Sequence, residues 1–301
     1  MEKCLLLGSD EVFFRYYNLI RAYERQGAFE VTGVSFTHRM DSTMFYSDVL
    51  GYRNILPEEL DLQPDWRIIV LADGELSGEL TGMLAEVGIA ENRIIPYRVL
   101  LLWNLDFGRY LALKDDPPTI FADNCLGGLL YHRLGLKFMS PFINMWMDPA
   151  DYLKFLEQPR EYMSREVTCL GEEYEEVQAR NYPVGDLGGL RLHFNHYHSF
   201  EEAKAAWDKR RERIRWERLL VLMHTQDRAQ AEEFDALPYE KKLCFVPFRT
   251  DQGSLHYLEH CGQEHHFWDL VNSLAKENPY LDVVELLSEG RVKRMSHGDP
   301  A

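Results

Sequence analysis

Lys3-Cys4-Leu5-Leu6-Leu7-Gly8, then Ser9-Asp10-Glu11, then Val12, Tyr16, Leu19, Ile20 and Tyr23 at helical spacing: this opening decides the fold of the first third of the chain. A short apolar run ending in glycine reads as a buried strand and a tight turn, and apolar residues three and four apart mark one face of a helix. Strand, turn and helix in that order open a doubly wound α/β unit. The pattern continues outward from it. Glu30–Phe36 and Arg67–Leu71 read as further strands, the latter ending at Ala72-Asp73-Gly74 before a helix to about Val87, and Arg93–Pro96 completes the set. Strands separated by helical stretches predict a parallel sheet, so residues 1–114 are expected to form a small Rossmann-like domain. No nucleotide cofactor is expected on it. The turn Gly8-Ser9-Asp10-Glu11 lacks the G-x-G-x-x-G glycines, and Asp10 and Glu11 oppose a pyrophosphate where the helix's positive end would receive it.

Asp115-Asp116-Pro117-Pro118 is the clearest boundary, since paired prolines cannot continue a helix. Beyond it the sequence predicts a strand at Thr119–Ala122, a helix from about Leu126 to Leu134, a strand near Phe142–Met147 and a helix opened by Asp148-Pro149. Gly185, Gly188 and Gly189 mark a hairpin between Tyr182–Val184 and Leu190–Phe194. Ser199-Phe200-Glu201-Glu202 is a capping box for a helix to about Arg215. Strands at Leu219–Met223 and Leu243–Pro247 and a helical region over His266–Leu287 complete a larger α/β domain with a mixed sheet, residues 117–290, followed by a flexible tail at 291–301.

Composition agrees with two domains and narrows the partners. At 301 residues, 46% hydrophobic and 13% aromatic, the chain has material for two real cores and is not a disordered one. The 33 Lys+Arg against 49 Asp+Glu give a net charge of −16, which repels phosphate backbones and anionic lipid; no nucleic-acid partner and no membrane insertion are expected. The apolar run Cys4–Leu7 is too short for a secretory signal, and the patches Val99–Trp103 and Phe142–Met147 fall far short of the roughly 20 residues of a membrane span. Five scattered cysteines (4, 125, 169, 244, 261) without a C-x-x-C predict neither a disulfide framework nor a structural zinc, and a cytoplasmic chain. Oligomeric state is not written in the sequence.

Four groups of residues could carry chemistry. Asp123-Asn124-Cys125-Leu126-Gly127-Gly128 puts a thiol where a strand gives way to a helix, the placement that lowers a thiol pKa. Gly127 and Gly128 are costly in a first helical turn and would admit a close-lying substrate; equally, they would allow tight helix–strand packing around a buried free cysteine. His193, His196 and His198 lie within six positions, with strand alternation placing His193 on one face and the other two opposite. They could supply a base for the thiol or form a hydrogen-bonded cluster, and with no clear third ligand no metal is expected. The run from Asp208 to Arg218 carries six bases against three acids, most of them expected to be solvated or paired, with Arg210 and Arg213 the candidates to meet an anionic ligand. Asp227 follows the Leu219–Met223 strand, at the end where α/β proteins place ligand groups. His256, Glu259 and His260, with His265-His266, do not make H-E-x-x-H and read as a surface cluster.

Asn124-Cys125-x-Gly127-Gly128, Tyr131-His132, Leu134-Gly135-Leu136, Ser140-Pro141, Asn144, Asp151-Tyr152 and Tyr182-Pro183-Val184-Gly185 occur together with His193-Phe194, His196-Tyr197, Phe200-Glu201-Glu202-Ala203, Trp207, Arg210, Arg213-Ile214, Phe234 and Leu237-Pro238-Tyr239. Over about residues 105–250 this set resembles a bacterial family of uncharacterised function whose members are usually labelled exopolysaccharide or capsular polysaccharide biosynthesis proteins. The resemblance implies a glycan-precursor or other small-molecule substrate. The chain departs from the family in Asp123, where a neutral residue is usual, and in Leu126, where an aromatic is usual. An acid beside the thiol raises its pKa. The leading expectation is a thiol-dependent acyl-transfer or hydrolytic enzyme, with Cys125 as nucleophile, His196 as base and His193 its runner-up. Asn124 would be an oxyanion donor, Asp227 an orienter, and Gly127, Gly128, Asn144, Arg210 and Arg213 substrate contacts. The alternatives are a nucleotide-sugar-dependent transferase and a non-catalytic partner of a polysaccharide assembly complex.

Overall fold

The computed structural model describes residues 1–38, 47–56, 62–102, 104–176, 179–258 and 281–292. The chain divides into two compact units: Met1–Asp115 with Arg133–Lys137, and Asp116–His132 with Phe138 onward. No helix among the described residues is long and apolar enough to cross a membrane.

In the first unit β1 (Glu2–Ser9) leads into α1 (Asp10–Arg25) and β2 (Phe29–His38), followed by a small antiparallel pair, β3 (Asp48–Val49) and β4 (Tyr52–Arg53). Then come β5 (Trp66–Leu71), α2 (Gly74–Glu86), β6 (Ile94–Pro96) and α3 (Phe107–Asp115). The four main strands form a parallel sheet in the order β2-β1-β5-β6. The chain therefore goes out from β1 to β2 and returns past β1 to β5, the reversal of a doubly wound sheet. Cys4 to Leu7 are wholly buried, and α1 turns Phe13 and Ile20 inward; of the expected helix face Ile20 is buried and Val12, Tyr16, Leu19 and Tyr23 are half-buried. The segment 133–137 is fastened to this unit at two points. Tyr110 Oη donates to the Leu134 carbonyl at 2.9 Å, and Gly135, at φ +59°, lies so close to Pro96 that a Cβ would sit 2.8 Å from its Cδ.

The second unit contains β7 (Thr119–Ala122), α4 (Leu126–Arg133, whose last residue counts with the first unit), α5 (Pro149–Glu157) and α6 (Pro159–Ser164). There follow β8 (Thr168–Glu175), β9 (Arg180–Asp186), β10 (Arg191–His193), α7 (Phe200–Arg211), β11 (Leu219–His224), α8 (Arg228–Ala236), β12 (Lys242–Val246), β13 (Leu255–Tyr257) and α9 (Val283–Glu289). Its parallel strands form one sheet, β13-β12-β11-β7, and its antiparallel strands a separate one, β10-β9-β8. An aromatic core of Phe121, Phe142, Tyr152, Phe155, Phe194 and Trp207 joins the elements.

Three expectations are corrected. Phe142–Met147 is buried but is not a strand: Asn144 turns into the left-handed region at φ +60°, and only Trp146 makes a bridge, to His193. α7 stops at Arg211, four residues early, and the Arg215 N–H goes to Thr119 Oγ1 at 2.8 Å. The hairpin gains a third strand, β8, whose acidic sequence gave no apolar signal. Of the helical region expected over His266–Leu287, residues 266–280 lie outside the described residues, as does the tail from 293.

Candidate functional site

β7 ends at Ala122, and the next three residues hold one another and the neighbouring elements. Asn124 Oδ1 accepts from the Leu126 N–H at 3.0 Å, capping α4, and its Nδ2 donates to Asp123 Oδ1 at 2.9 Å. The buried Asp123 carboxylate also receives the His224 N–H at 3.4 Å from the end of β11, and its backbone carbonyl receives Met147 N–H at 2.8 Å. The Cys125 sulfur donates to the Met145 carbonyl at 3.7 Å. Asn124 thus stands at the helix start as an internal clasp, with both ends of its amide engaged and no donor aimed at an oxyanion.

The expected activation of Cys125 is reversed. Burial pushes its thiol up to about 12, and the charges of Glu175 and Asp123 push the same way. At neutral pH the thiol is thus protonated. Iodoacetamide at pH 7 is therefore expected to modify the exposed Cys169 first and Cys125 at least about a hundredfold more slowly. Peptide mass spectrometry over time reads both rates, and equal rates would overturn the assignment of a protonated Cys125.

The glycines have a packing role. A Cβ on Gly127 would lie 3.1 Å from Ile120 Cγ2, and one on Gly128 would lie 3.5 Å from Ile143 Cγ2; both residues are buried between α4 and its neighbours. That corrects their reading as substrate contacts. Asn144 is exposed at its left-handed turn. Asp227 caps α8, accepting from the Ala229 N–H at 2.7 Å and the Gln230 N–H at 3.3 Å, so it serves the helix and orients no histidine.

The two leading histidines differ in kind. His193 is buried, stacked on Trp146 at 3.7 Å with 6° between the planes, and its Nδ1 lies 3.1 Å from Glu173 Oε2. Tyr182 Oη donates to the same carboxylate at 2.9 Å. Burial pulls the His193 pKa down against Glu173 and Asp148, and the ring works as a core element of the hairpin. His196 is exposed, yet enough of its ring is desolvated to lower its pKa, with Glu175 opposing and Arg180 assisting. A neutral, accessible imidazole is what a general base requires.

Glu175 links the thiol and this histidine, because its charge acts on both. It faces Arg180 in the β8–β9 register, and Arg180 Nη2 donates to the Asn195 carbonyl at 2.6 Å. Glu175 Oε2, Arg180 Nε and Asn195 Oδ1 are all out of solvent and make no hydrogen bond among the described residues. Unused buried polar groups are costly and gather where a ligand completes them. The sequence reading missed Glu175 and Arg180. The signal was alternation: in β8, Gly171, Glu173 and Glu175 occupy the half-buried face and Glu172 and Tyr174 the exposed one.

The basic run is largely paired. Arg211 meets Glu166 at 2.9 Å and Asp208 at 3.3 Å, and Arg215 and Arg218 both meet Asp116. Arg210 donates to Tyr197 Oη at 2.6 Å and lies over the Phe138 ring at 5.2 Å, while Arg213 donates to the Phe138 carbonyl at 3.1 Å. Both thereby support the segment around Phe138. No three metal-ligating side chains cluster among the described residues; of the later histidines, His256 lies in β13, and His260, His265 and His266 lie outside them.

A comparison with known proteins covers this unit and the end of the first. A domain of unknown function, DUF1919, matches residues 97–288, well over half of the chain. The chain belongs to the DUF1919 family. An uncharacterised protein of Haemophilus influenzae is 34% identical over 137 residues, a stretch that covers 44% of this chain. The chain spans 64% of that relative's length. The DUF1919 match contains the whole set Asp123, Cys125, Glu175, Arg180 and His196.

Proposed function

We propose that the DUF1919 domain serves exopolysaccharide or surface-glycan biosynthesis in the cytoplasm, acting on a glycan precursor beside the end of β7. The observation that carries this reading is Glu175, whose buried, unbonded Oε2 belongs to a carboxylate acting on both Cys125 and His196. Carboxylate and amide oxygens such as Glu175 Oε2 and Asn195 Oδ1 suit the hydroxyl donors of a sugar. The chemistry that suits the residues is acyl transfer or hydrolysis. Neutral His196 takes the proton from the attacking hydroxyl, of water or sugar, as the new bond to the acyl carbon forms, and returns it to the leaving group. Cys125 stays protonated. The resemblance to polysaccharide-biosynthesis proteins supports the substrate class, while the bonds of Arg210 to Tyr197 and of Arg213 to the Phe138 carbonyl commit donors that a nucleotide-sugar transferase would turn to its pyrophosphate.

Calorimetric titration with acylated sugars, sugar phosphates and nucleotide sugars, followed by mass-spectrometric turnover of whichever class binds, tests this. His196→Ala is expected to lower turnover about 10²–10⁴-fold while binding persists, and Cys125→Ser to leave turnover within a few-fold. Unchanged turnover in His196→Ala would remove the base. Loss of turnover in Cys125→Ser would restore the thiol as nucleophile, and no binding by any class at millimolar concentration would dismiss the glycan-precursor reading.

A further inference from the structure

The first unit carries a cation with no counterpart. Arg133 closes α4, and its Nε and Nη1 are out of solvent with no hydrogen-bond partner among the described residues. A cation at a helix C-terminus is ordinarily explained by the helix dipole and by bonds to the last free carbonyls, but these two nitrogens make no such bond. Nor does Arg133 form an ion pair among the described residues, in contrast to its neighbours. Arg98 meets Asp73 at 2.5 Å, with Tyr97 Oη donating to the same carboxylate at 2.6 Å, and Arg15 meets Glu11 at 2.7 Å. Burial and then the nearby charge of Arg98 pull the Arg133 guanidinium down to about 10. A half-buried charge without a carboxylate partner among the described residues, next to a like charge, is an arrangement that folding penalises.

Its place in the fold makes this informative. Asp73 follows the end of β5, and Tyr97 and Arg98 follow the end of β6, so the cluster stands at the carboxyl edge of the parallel sheet, where α/β units place their ligands. The segment carrying Arg133 is held there by the approach of Gly135 to Pro96 and by the Tyr110–Leu134 bond. The β1 turn next along the edge carries Asp10 and Glu11, which oppose an anion there, while Arg133 stands with Arg98 on the β5–β6 side.

We propose that Arg98 and Arg133 form an oxyanion site at this edge, taking the phosphate group of a small ligand. Asp73 matches Arg98 and Glu11 matches Arg15, which leaves Arg133 without a carboxylate partner among the described residues, and its charge asks for an anion rather than a cation or a neutral group. Arg133 presents its donors as a planar fork that fits two oxygens at once. A tetrahedral phosphate has further oxygens for Arg98, whereas a carboxylate is used up by one fork. This site lies in the other unit from the one proposed above and does not depend on that reading.

The test titrates the full-length protein with inorganic phosphate at ionic strength held constant with chloride, by calorimetry and by thermal melting. Saturable binding and a rising melting temperature are expected for the wild type. Arg133→Met is expected to weaken binding about tenfold or more and, without phosphate, to melt no lower than wild type because the unpaired charge is gone. Arg98→Gln, a change at a half-exposed residue, is expected to weaken binding too. The absence of saturable binding up to about 10 mM phosphate would overturn the proposal. So would wild-type affinity in Arg133→Met or, should that variant not fold, in Arg98→Gln.

Discussion

Replacing Phe142 with alanine is expected to destabilise the DUF1919 domain by about 3–5 kcal/mol. The ring is fully buried and lies 5.1 Å from Phe121, 5.1 Å from Phe155, 5.5 Å from Trp207 and 6.0 Å from Tyr152. Those four belong to β7, α5 and α7, elements fixed by their own hydrogen bonds, so they cannot close over the gap, and the cavity term adds to the lost transfer energy. The consequence reaches the candidate site, because Phe142 anchors the irregular segment in which the Met145 carbonyl accepts from the Cys125 sulfur and the Met147 N–H donates to the Asp123 carbonyl. Hydrogen exchange read by mass spectrometry should show peptides of β7 and β11 losing protection by about a hundred- to several-thousand-fold. Alkylation of Cys125 should accelerate with it. Protection within about threefold of wild type would show that the aromatic cluster is not the keystone its geometry describes.

The contrast between the two units explains what the sequence made legible. β1, β2, β5 and β6 are buried parallel strands, and their apolar runs and flanking glycines stand out because burial on both faces leaves no other reading. The β8–β9–β10 sheet was half hidden. Its glycine-marked turn announced β9 and β10, but β8 presents one half-buried face lined by Glu173 and Glu175, whose polar partners come from elsewhere in the chain. The candidate site suffered in the same way. Cys125 is visible as a thiol at a strand–helix junction, a local feature, while its state is set first by burial in the folded chain and then by the charge of Glu175, fifty residues on in the sequence. Asn124, Asp227 and the two glycines show the converse. Each is a conspicuous residue whose local structural duty, as a cap or a packing surface, uses up the group that made it conspicuous.

Gly8→Ala is expected to cost about 2–6 kcal/mol in the first unit, from two separate sources. Gly8 sits at φ +142°, where an L side chain is strained whatever the space around it. A Cβ there would also lie 2.6 Å from the carbonyl oxygen and 2.9 Å from the carbonyl carbon of Leu71, its register partner on β5. Both are backbone atoms, so no rotamer change can relieve the contact, and β1 and β5 must part at their carboxyl ends. Gly27→Ala separates the two sources: it too has a positive φ, +75°, but nothing lies within 4 Å of its Cβ position. Gly27→Ala should therefore show only the backbone penalty, about 1–2 kcal/mol. Hydrogen exchange of the β1 and β5 peptides measures the difference, and equal losses in the two variants would refute the close approach as the reason for Gly8. Asp73 follows Leu71 by two residues and holds Arg98, so parting the strands should also weaken phosphate binding at the β5–β6 edge. Gly27, at the far end of α1, should leave that binding unchanged, which ties the glycine that opens the fold to the site proposed at its edge.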